Sequence, residues 1–529
     1  MLKFLACLVL PAAALAGASP EEAFAPTFES RVELTPQNKI DSLVFAKLRQ
    51  LGIQPSNLCS DAVFLRRAYL DVIGTLPTAQ EAYQFLQDAD PHKRSALIDR
   101  LLVRPEFAEY WAMKWSDLLR VKAEFPVNLW PNAAQAYHHW IRAALRENRP
   151  YDAFVRDLLT ESGSNFRVAP VNFYRALQSK DPQAIAQTVA LTFMGVRAEK
   201  WPKDRMKDMA AFFSNIGYKE TGEWKEEIVF FDPAKAPLPR SATLPDGTRT
   251  RLTVDRDPRE VFAAWLINAK NPYFAPGIVN RIWAWLLGRG IVHEPDDIRP
   301  DNPPENPELL AYLVQELVNR KYDLKHIYRL ILNSDTYQLS SIPRTDSPDG
   351  DKHFAYYPLR RLDAEVLIDA LCQITGTTEK YSSAIPEPFT FIPDDQRSIS
   401  LPDGSITSSF LEQFGRPPRD TGLEAERNNR LTASQALHLL NSSHIQQKIE
   451  RSPKLNYLLQ TQQDPQKLVG GLYLMILSRY PTVEELRIVG SYSQISKGRP
   501  RELAVDLIWS LLNFEFWCRA FGFCGAARS

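Results

Sequence analysis

The sequence has few cysteines and lacks the motifs in which cysteine or histidine usually binds a cofactor. It contains 5 cysteines in 529 residues, and the patterns C-x-x-C, C-x-x-C-H and H-E-x-x-H do not occur in it. These are common signatures of redox pairs, covalent haem attachment and catalytic zinc. Phosphate-binding loops, dinucleotide motifs and nucleophile elbows are missing as well. The sequence therefore predicts no metal site and no cofactor.

The chain also lacks an excess of charge. Its 63 basic and 63 acidic residues cancel, and no long run of one sign separates one half from the other. Proteins that bind nucleic acid draw much of their affinity from a basic surface that displaces counterions. We therefore expect no nucleic-acid partner.

Long hydrophobic runs are confined to the N-terminus. Residues 1–18 place Lys3 before an apolar run and end in small residues, which is the pattern of a secretory signal peptide. Cleavage after Ala16 or Ala18 fits the A-x-A rule, and an uncleaved anchor is the alternative. Later stretches do not reach the roughly 18 apolar residues of a membrane helix. We expect a secreted or periplasmic protein with no membrane insertion after cleavage.

Four cysteines remain after this cleavage, and Cys518 and Cys524 are the nearest pair. Export permits a disulfide between them. Four cysteines in so long a chain do not form a disulfide framework, however, and buried thiols are the alternative. The sequence leaves the choice open.

Most of the chain consists of amphipathic segments with helical periodicity, separated by capping residues and prolines. Thr78 and Glu81 form a capping box, and Asp90 with Pro91 predicts another helix start. The fold class is therefore mainly α, with two helical domains and small β-hairpin or loop-rich inserts. In the first half we predict helices near residues 62–73, 78–87, 90–103, 105–118, 131–146, 151–161, 182–194 and 204–213.

The period changes to that of strands between residues 226 and 254, where an L-P-D-G turn separates two short runs. Asp257, followed by proline, then begins a second helical half. We divide the mature chain into a helical domain at 37–220, a β insert or linker at 221–256 and a helical domain at 257–520. A loop-rich insert interrupts the last of these at 382–415.

Several motifs, in a fixed order, resemble two families. F-L-R-R-A-Y-L-D-V-I-G-T-L-P-T at 64–78 and D-P-H-K-R-S-A-L-I-D-R-L-L at 90–102 resemble domain of unknown function 1549. N-P-Y-F-A-P-G-I-V-N-R-I-W, R-R-L-D-A-E-V-L-I-D-A-L and F-G-R-P-P-R resemble domain of unknown function 1553. The resemblance covers most of residues 40–520. It implies an exported protein of Planctomycetes, Verrucomicrobia or related bacteria, often accompanied by a cytochrome-like haem domain, without an established activity.

The chain departs from both families where their cysteines commonly stand. Members of the first carry C-x-x-C-H-x-H-P after a G-V-R-like stretch, whereas here residues 195–197 continue into A-E-K-W-P. Members of the second often carry C-x-C-E-R after F-G-R-P-P-R, whereas residues 423–427 read L-E-A-E-R. The resemblance therefore implies no haem in this member.

One candidate polar cluster lies on a predicted helix rich in large apolar residues and on the acidic, proline-rich loop after it. Asn280 and Arg281 are on the helix, and a buried arginine needs a partner. We expect Asp296 or Asp297 to neutralise Arg281 and fix the loop. The alternatives are a ligand site and a calcium site that also uses Asp301, although the loop lacks the EF-hand spacing.

A second group of charged residues lies near two further motifs. Arg360 and Arg361 can bind a carboxylate, sulfate or phosphate group, or pair with Glu424 and Glu426. We expect nearby arginines to surround that glutamate pair, and a glycosidase that uses the two carboxyls is an alternative. The remaining members of the group are Arg416, Arg419, Arg427 and His438.

These observations favour an exported, non-haem accessory or ligand-binding component of an envelope or extracellular process such as polysaccharide breakdown. Its partner is an unidentified protein or glycan of the cell envelope. The alternatives are a hydrolase that acts on a carbohydrate or ester-linked group and an electron-transfer partner of a cytochrome. The sequence does not name a substrate, and whether the protein is an enzyme is left open.

Overall fold

The computed structural model describes residues 27–495 and 499–521, and for residues 495 and 514–521 it describes the backbone alone. The predicted signal peptide, the side chain of Cys518 and all of Cys524 lie outside this part. Within it the fold is mainly α, as predicted, and its strands are short. The described residues contain no helix with the length and apolarity that crossing a membrane requires.

The helices of the first half follow the predicted segments closely. The helix expected from Asp90 begins instead at Lys93, because the Asp90 carboxylate accepts the N–H of His92 in the preceding turn. The segment predicted at 182–194 is α-helical only to Val189 and continues as a π-helical turn to Met194. The helices are α1 Lys39–Gln50, α2 Asp61–Ile73, α3 Ala79–Gln87, α4 Lys93–Val103, α5 Pro105–Leu118, α6 Pro131–Arg146, α7 Tyr151–Thr160, α8 Asn172–Arg175, α9 Pro182–Val189 and α10 Lys203–Ala210.

Two small antiparallel sheets separate the halves. β1 Gly163–Ser164, β2 Ile216–Glu220 and β3 Glu227–Phe231 form one sheet in the order β1-β3-β2. β4 Arg240–Thr243 and β5 Arg249–Leu252 form the hairpin predicted around the L-P-D-G turn. β1 and β2 lie inside the region expected to be helical, because two and five residues are too few to show a strand period in the sequence.

The second half consists of helices separated by several irregular segments, and within residues 382–415 only a 3-10 turn at Ser398–Ser400 and one short helix are regular. Asp257 caps its first helix by accepting the N–H of Arg259. The helices are α11 Pro258–Leu266, α12 Phe274–Leu287, α13 Pro307–Asn319, α14 Leu324–Leu332, α15 Asp335–Gln338, α16 Ala364–Thr375, α17 Ser409–Gln413, α18 Ala433–Asn441, α19 Ser443–Glu450, α20 Pro453–Thr461, α21 Pro465–Leu477, α22 Val483–Ile495 and α23 Pro500–Phe521.

The two halves share one continuous apolar core. Trp111 and Trp115 of α5 pack against Trp285 of α12, with ring centroids 5.2 and 6.2 Å apart. Arg67 of α2 donates hydrogen bonds to the carbonyl oxygens of Tyr337 and Leu339 at 2.6 and 2.9 Å. We call this contact between the halves the seam, and the candidate site lies on it.

Candidate functional site

A cleft of about 640 Å³ opens at the seam. Residues of α2 and α5 form one wall. The other wall is formed by the end of α12, the loop after it, and segments within 340–363 and 424–430. The volume lies in the range of sites that hold a small molecule, and sites of this kind often occur between domains. The cleft is therefore the candidate functional site.

The walls of the cleft carry more cations than carboxylates. Nine side chains are basic and five are acidic, so an anionic ligand meets a net positive wall. The basic residues are Arg66, Arg67, Lys114, Arg289, Arg360, Arg361, Arg427, Arg430 and Arg479, and the acidic residues are Asp71, Glu294, Asp296, Asp363 and Glu424.

The ion pair predicted for Arg281 is present behind this wall. Its Nη2 lies 2.6 Å from Oδ1 of Asp296, and both side chains are almost fully buried. Its Nη1 donates to the carbonyl oxygen of Thr192 at 2.8 Å. Burial opposes the charge of Arg281, but Asp296 outweighs it and raises the pKa of the guanidinium. The other oxygen of Asp296 accepts the backbone N–H of Glu424 at 2.7 Å.

Glu424 faces the cleft beside this pair. Trp285 Nε1 donates to its Oε1 at 2.7 Å. Burial raises the pKa of Glu424 and the charge of Asp296 raises it further, although Arg281 and Lys114 act in the opposite direction. Among the described residues, no basic group lies within ion-pair distance of this carboxyl. Glu424 is therefore closer to protonation than an ordinary glutamate.

Asp363, just before α16, is held in the opposite state. Lys114 Nζ lies 2.7 Å from its Oδ2, and Asn429 donates to its Oδ1 at 2.8 Å. Burial would raise its pKa, but the charges of Lys114 and Arg427 outweigh burial and hold the pKa well below the usual range. This carboxylate stays ionised and joins α5, α16 and the segment at 424–430.

Asp71 of α2 is a third carboxylate, after Asp296 and Asp363, that joins separate elements around the cleft. It accepts hydrogen bonds from the hydroxyls of Tyr337 and Tyr357 at 2.9 and 2.7 Å, and from Arg360 at 2.8 Å. The expected alternative of pairing Arg360 with Glu424 or Glu426 is therefore wrong. Asp71 lies 289 residues earlier in the chain, and the packing of α2 on the second half brings it to Arg360.

The arginines expected around Glu424 and Glu426 pair elsewhere. Arg427 lies 2.6 Å from Asp117 and 2.7 Å from Glu365. Arg419 also binds Asp117, at 2.9 Å, and Arg416 lies 3.4 Å from Glu365. These buried pairs join α5 to α16 behind the cleft, so that expectation is wrong. The sequence did not indicate that α5 and α16 supply the carboxylates.

Three basic side chains of the cleft have no carboxylate within ion-pair distance in the described part of the chain: Arg67, Arg361 and Arg430. Arg67 uses the carbonyl oxygens at the seam. Arg361 binds the carbonyl oxygens of Phe414 and Asn428, and its buried Nη1 has no hydrogen-bond partner among the described residues. Arg430 is exposed at the cleft. These three guanidinium groups therefore supply positive charge that no carboxylate within ion-pair distance in the described residues neutralises.

Besides Arg281, Arg416 and Arg419, four further candidate residues do not contribute to the lining of the cleft. Asn280 fixes the loop after α12 by bonding both backbone groups of Val292 at 2.9 Å. Asp297 pairs with Arg299, and Glu426 accepts backbone N–H groups of residues 420–422. His438 packs among aromatic rings on α18 and the neighbouring elements. Asp296, Arg360, Arg361, Glu424 and Arg427 do line the cleft.

Several residues of the cleft were missed from the sequence. Arg66, Arg67 and Asp71 lie on α2, and Lys114 lies on α5. One signal was present: two adjacent arginines interrupt an otherwise apolar helix, and Asp71 follows Arg67 by one turn on the same face. A buried arginine requires partners, so this pattern marks a contact with another element.

The carboxylates of the loop after α12 do not form a metal site. Asp296 pairs with Arg281, whereas Asp297 and Asp301 both pair with Arg299. Within residues 27–495 and 499–521, no cluster of three or more histidine, cysteine, aspartate or glutamate residues is arranged to hold a metal ion. The donors that line the cleft suit an anion.

Family models match two stretches of the chain. PSCyt2, a protein of unknown function (DUF1549), matches residues 39–216, and PSD1, a protein of unknown function (DUF1553), matches residues 258–493. No curated protein and no solved structure matches the chain. The cleft lies where the two matched stretches meet.

Proposed function

Because the chain belongs to the PSCyt2 (DUF1549) and PSD1 (DUF1553) families, whose names specify no activity, we propose its function from the cleft. The protein binds a small anionic molecule between its two family regions. The observation that carries this proposal is the positive excess of the cleft, with Arg67, Arg361 and Arg430 lacking carboxylate partners in the described residues. A carboxylate, sulfate or phosphate group fits such donors.

The rest of the ligand meets a less polar surface. Leu70, Ile342 and Leu362 line the cleft together with its charged residues. A volume of about 640 Å³ exceeds that needed by a bare inorganic anion. The ligand is therefore an organic molecule of moderate size that carries at least one anionic group, such as an acidic sugar.

The cellular setting of the proposal comes from the N-terminal sequence. Residues 1–18 have the pattern of a signal peptide, so the protein acts in the envelope or outside the cell. It acts there as a non-haem accessory or ligand-binding component, with an envelope protein or glycan as its partner. Breakdown of polysaccharide is the process that we favour, because it supplies acidic sugars outside the cytoplasm.

Isothermal titration calorimetry on the mature protein tests the proposal. The probes are sodium glucuronate, inorganic sulfate and inorganic phosphate, with glucose as the neutral comparison. We expect glucuronate to bind and glucose not to bind. Arg430→Glu reverses a charge at the cleft without breaking a contact seen in the structure, so it should weaken glucuronate at least about tenfold, or about 1.4 kcal/mol.

Arg320→Glu is the matched control, because Arg320 is also exposed and lies outside the cleft lining. It should leave the affinity unchanged. Equal binding of glucose and glucuronate, or equal losses in the two variants, would contradict the proposal.

A hydrolase that acts on a carbohydrate or ester-linked group is the second candidate. Glu424 favours it, since the cleft contains one carboxyl with a raised pKa, Glu424, and one that stays ionised, Asp363, as a general acid and a stabilising carboxylate require. Release of p-nitrophenol from p-nitrophenyl glycosides and p-nitrophenyl acetate tests this candidate. Glu424→Gln should lower the rate at least about 100-fold while glucuronate still binds. No release by the wild-type protein would exclude hydrolysis of these substrates.

A further inference from the structure

Three separate loops bring aromatic rings together on the surface, outside the cleft lining. The centroid of the Trp130 ring lies 6.5 Å from that of Trp224 and 5.2 Å from that of Phe389. Trp224 lies in the turn between β2 and β3 and is 69% exposed, and Phe389 of the loop-rich insert is 49% exposed. Phe125 and Phe391 lie on two of the same loops and are 83% and 69% exposed. We call the three rings in contact, Trp130, Trp224 and Phe389, the aromatic patch.

The aromatic patch contributes less to folding than the same rings would if buried. Full burial of a large apolar side chain stabilises a fold by about 1.5–3 kcal/mol. Because these rings are partly exposed, they contribute only part of this stabilisation. Single exposed apolar residues are common on protein surfaces, but contiguous ones mark interaction sites. Rings that come from three loops and contact each other therefore indicate a binding surface.

The loop that carries Trp130 is fixed before any partner arrives. Ala123 donates its N–H to Asp403 at 2.8 Å, and Glu124 accepts the N–H of Ala384 at 3.1 Å, which ties this loop to the insert. Trp130 has a φ of 73°, a conformation that costs a bulky residue of the order of 1 kcal/mol or more. The fold thus holds the Trp130 ring in place despite this backbone strain. A ring that is already ordered loses less conformational entropy when a partner binds, which favours binding.

The charges around the aromatic patch exclude several partners. Residues 122–130, 221–226 and 384–396 contain six acidic residues and two lysines, so the loops that carry the rings have a net negative charge. Such loops disfavour nucleic acid, anionic lipid and acidic polysaccharide. The three members are all aromatic, and the exposed face of such a ring matches the flat C–H face of a sugar ring. Carboxylates at the rim accept hydrogen bonds from hydroxyl groups.

We propose that the aromatic patch binds a neutral polysaccharide, with pyranose rings packed against the exposed faces of Trp224 and Phe389. Trp130 contacts both rings, so the two exposed faces lie close enough for one short stretch of polymer to touch both. Neighbouring rings meet at 60–85°, so each ring contributes only the face that its neighbour leaves free. This site is independent of the cleft and of the anionic ligand proposed there.

Affinity electrophoresis of the mature protein tests this proposal. Native gels contain laminarin, arabinoxylan, galactomannan or hydroxyethylcellulose as neutral polymers, and alginate as the acidic comparison. We expect at least one neutral polymer to slow the wild-type protein. Trp224→Ala removes an exposed ring and should weaken binding about tenfold, and the double variant with Phe389→Ala should remove it.

Tyr457→Ala is the matched control, because Tyr457 is 66% exposed on α20 and does not belong to the aromatic patch. Its retardation should equal that of the wild type. Lack of retardation by every neutral polymer, retardation by alginate alone, or an unchanged Trp224→Ala variant would overturn the proposal. A concentration-dependent increase in mass by light scattering that Trp224→Ala abolishes would also overturn it, because a second copy would then cover these rings.

Discussion

Arg281 and Asp296 form a buried ion pair whose second carboxylate oxygen extends the contact to the cleft wall. Arg281 Nη2 lies 2.6 Å from Asp296 Oδ1, and Asp296 Oδ2 accepts the N–H of Glu424 at 2.7 Å. The position of Glu424 in the wall therefore depends on an arginine that does not itself line the cleft. The buried core and the shape of the cleft wall are therefore coupled through one carboxylate.

Replacing Arg281 by methionine should destabilise the protein strongly. The Asp296 carboxylate would remain buried without its cation, and breaking a buried pair in this way costs about 3–5 kcal/mol. Urea unfolding followed by circular dichroism measures the loss. An unchanged melting temperature together with abolished glucuronate binding would show that Arg281 belongs to the binding site instead.

Anion binding in the cleft should strengthen as the pH falls. The pKa of Glu424 is raised, so protonation removes a negative charge from the cleft at a higher pH than for an ordinary glutamate. Glucuronate should therefore bind more tightly below this pKa and more weakly above it. Calorimetry between pH 5 and pH 8 measures the trend, and Glu424→Gln should remove it. The same dependence in the variant would assign it to another group.

Asp335 should make the folded state less stable as the pH rises. Burial, followed by the charge of Asp41, raises the pKa of Asp335 to about 7. The unfolded value is about 3.9, so between these values the folded state binds more protons and its stability falls with pH. Asp335→Asn should stabilise the protein at pH 8 by at most about 4 kcal/mol, because solvent screens part of the effect, and should have little effect below pH 4.

Exposed Asp394 provides the control for this pH dependence. Asp394→Asn should unfold like the wild type at every pH, as monitored by urea titration. If Asp335→Asn and the wild type have the same dependence on pH between 4 and 8, the Asp335 carboxyl does not carry a raised pKa.

The mature protein should begin at Gly17 or Ser19. The sequence places Lys3 and an apolar run before two A-x-A sites, which is the pattern that signal peptidase cleaves. Mass spectrometry of the N-terminal peptide, from protein isolated in its native host, reads this directly. Intact protein with Met1 in the cytoplasm would refute export.

The purified protein should carry no covalently attached haem. Attachment requires two thiols and an adjacent histidine, and the closest cysteines, Cys518 and Cys524, are six positions apart without a neighbouring histidine. Expression with a working haem-attachment pathway, followed by acid–acetone extraction, tests this. A Soret band that survives extraction would restore electron transfer as the leading function.

Local relationships in this protein could be predicted from sequence, and contacts between the halves could not. Arg281 and Asp296 are 15 residues apart, on a helix and the loop that follows it. Because a buried arginine needs a negatively charged partner, the acidic residues of that loop could be predicted as candidates. Asp71 and Arg360 are 289 residues apart, and their contact depends on how α2 packs on the second half. Periodicity and capping residues define elements, but they do not define which elements meet.

Contacts between distant parts of the chain also explain why the partners of the arginines were predicted wrongly. Arg427 was expected near Glu424 because the two are close in sequence, yet it binds Asp117 and Glu365. A buried guanidinium pairs with whichever carboxylates the packed helices supply, and α5 and α16 supply two. The aromatic patch was missed for a similar reason, since its rings come from three distant loops.

The contacts at the seam make each family region depend on the other. Arg66 of α2 donates to the carbonyl oxygen of Ile476, and Arg67 donates to those of Tyr337 and Leu339. A chain that lost either region would leave these guanidinium groups or carbonyls without partners and would lose one wall of the cleft. Neither region is therefore complete by itself, because a fragment with only one of them would also expose apolar surface that the other covers in the shared core.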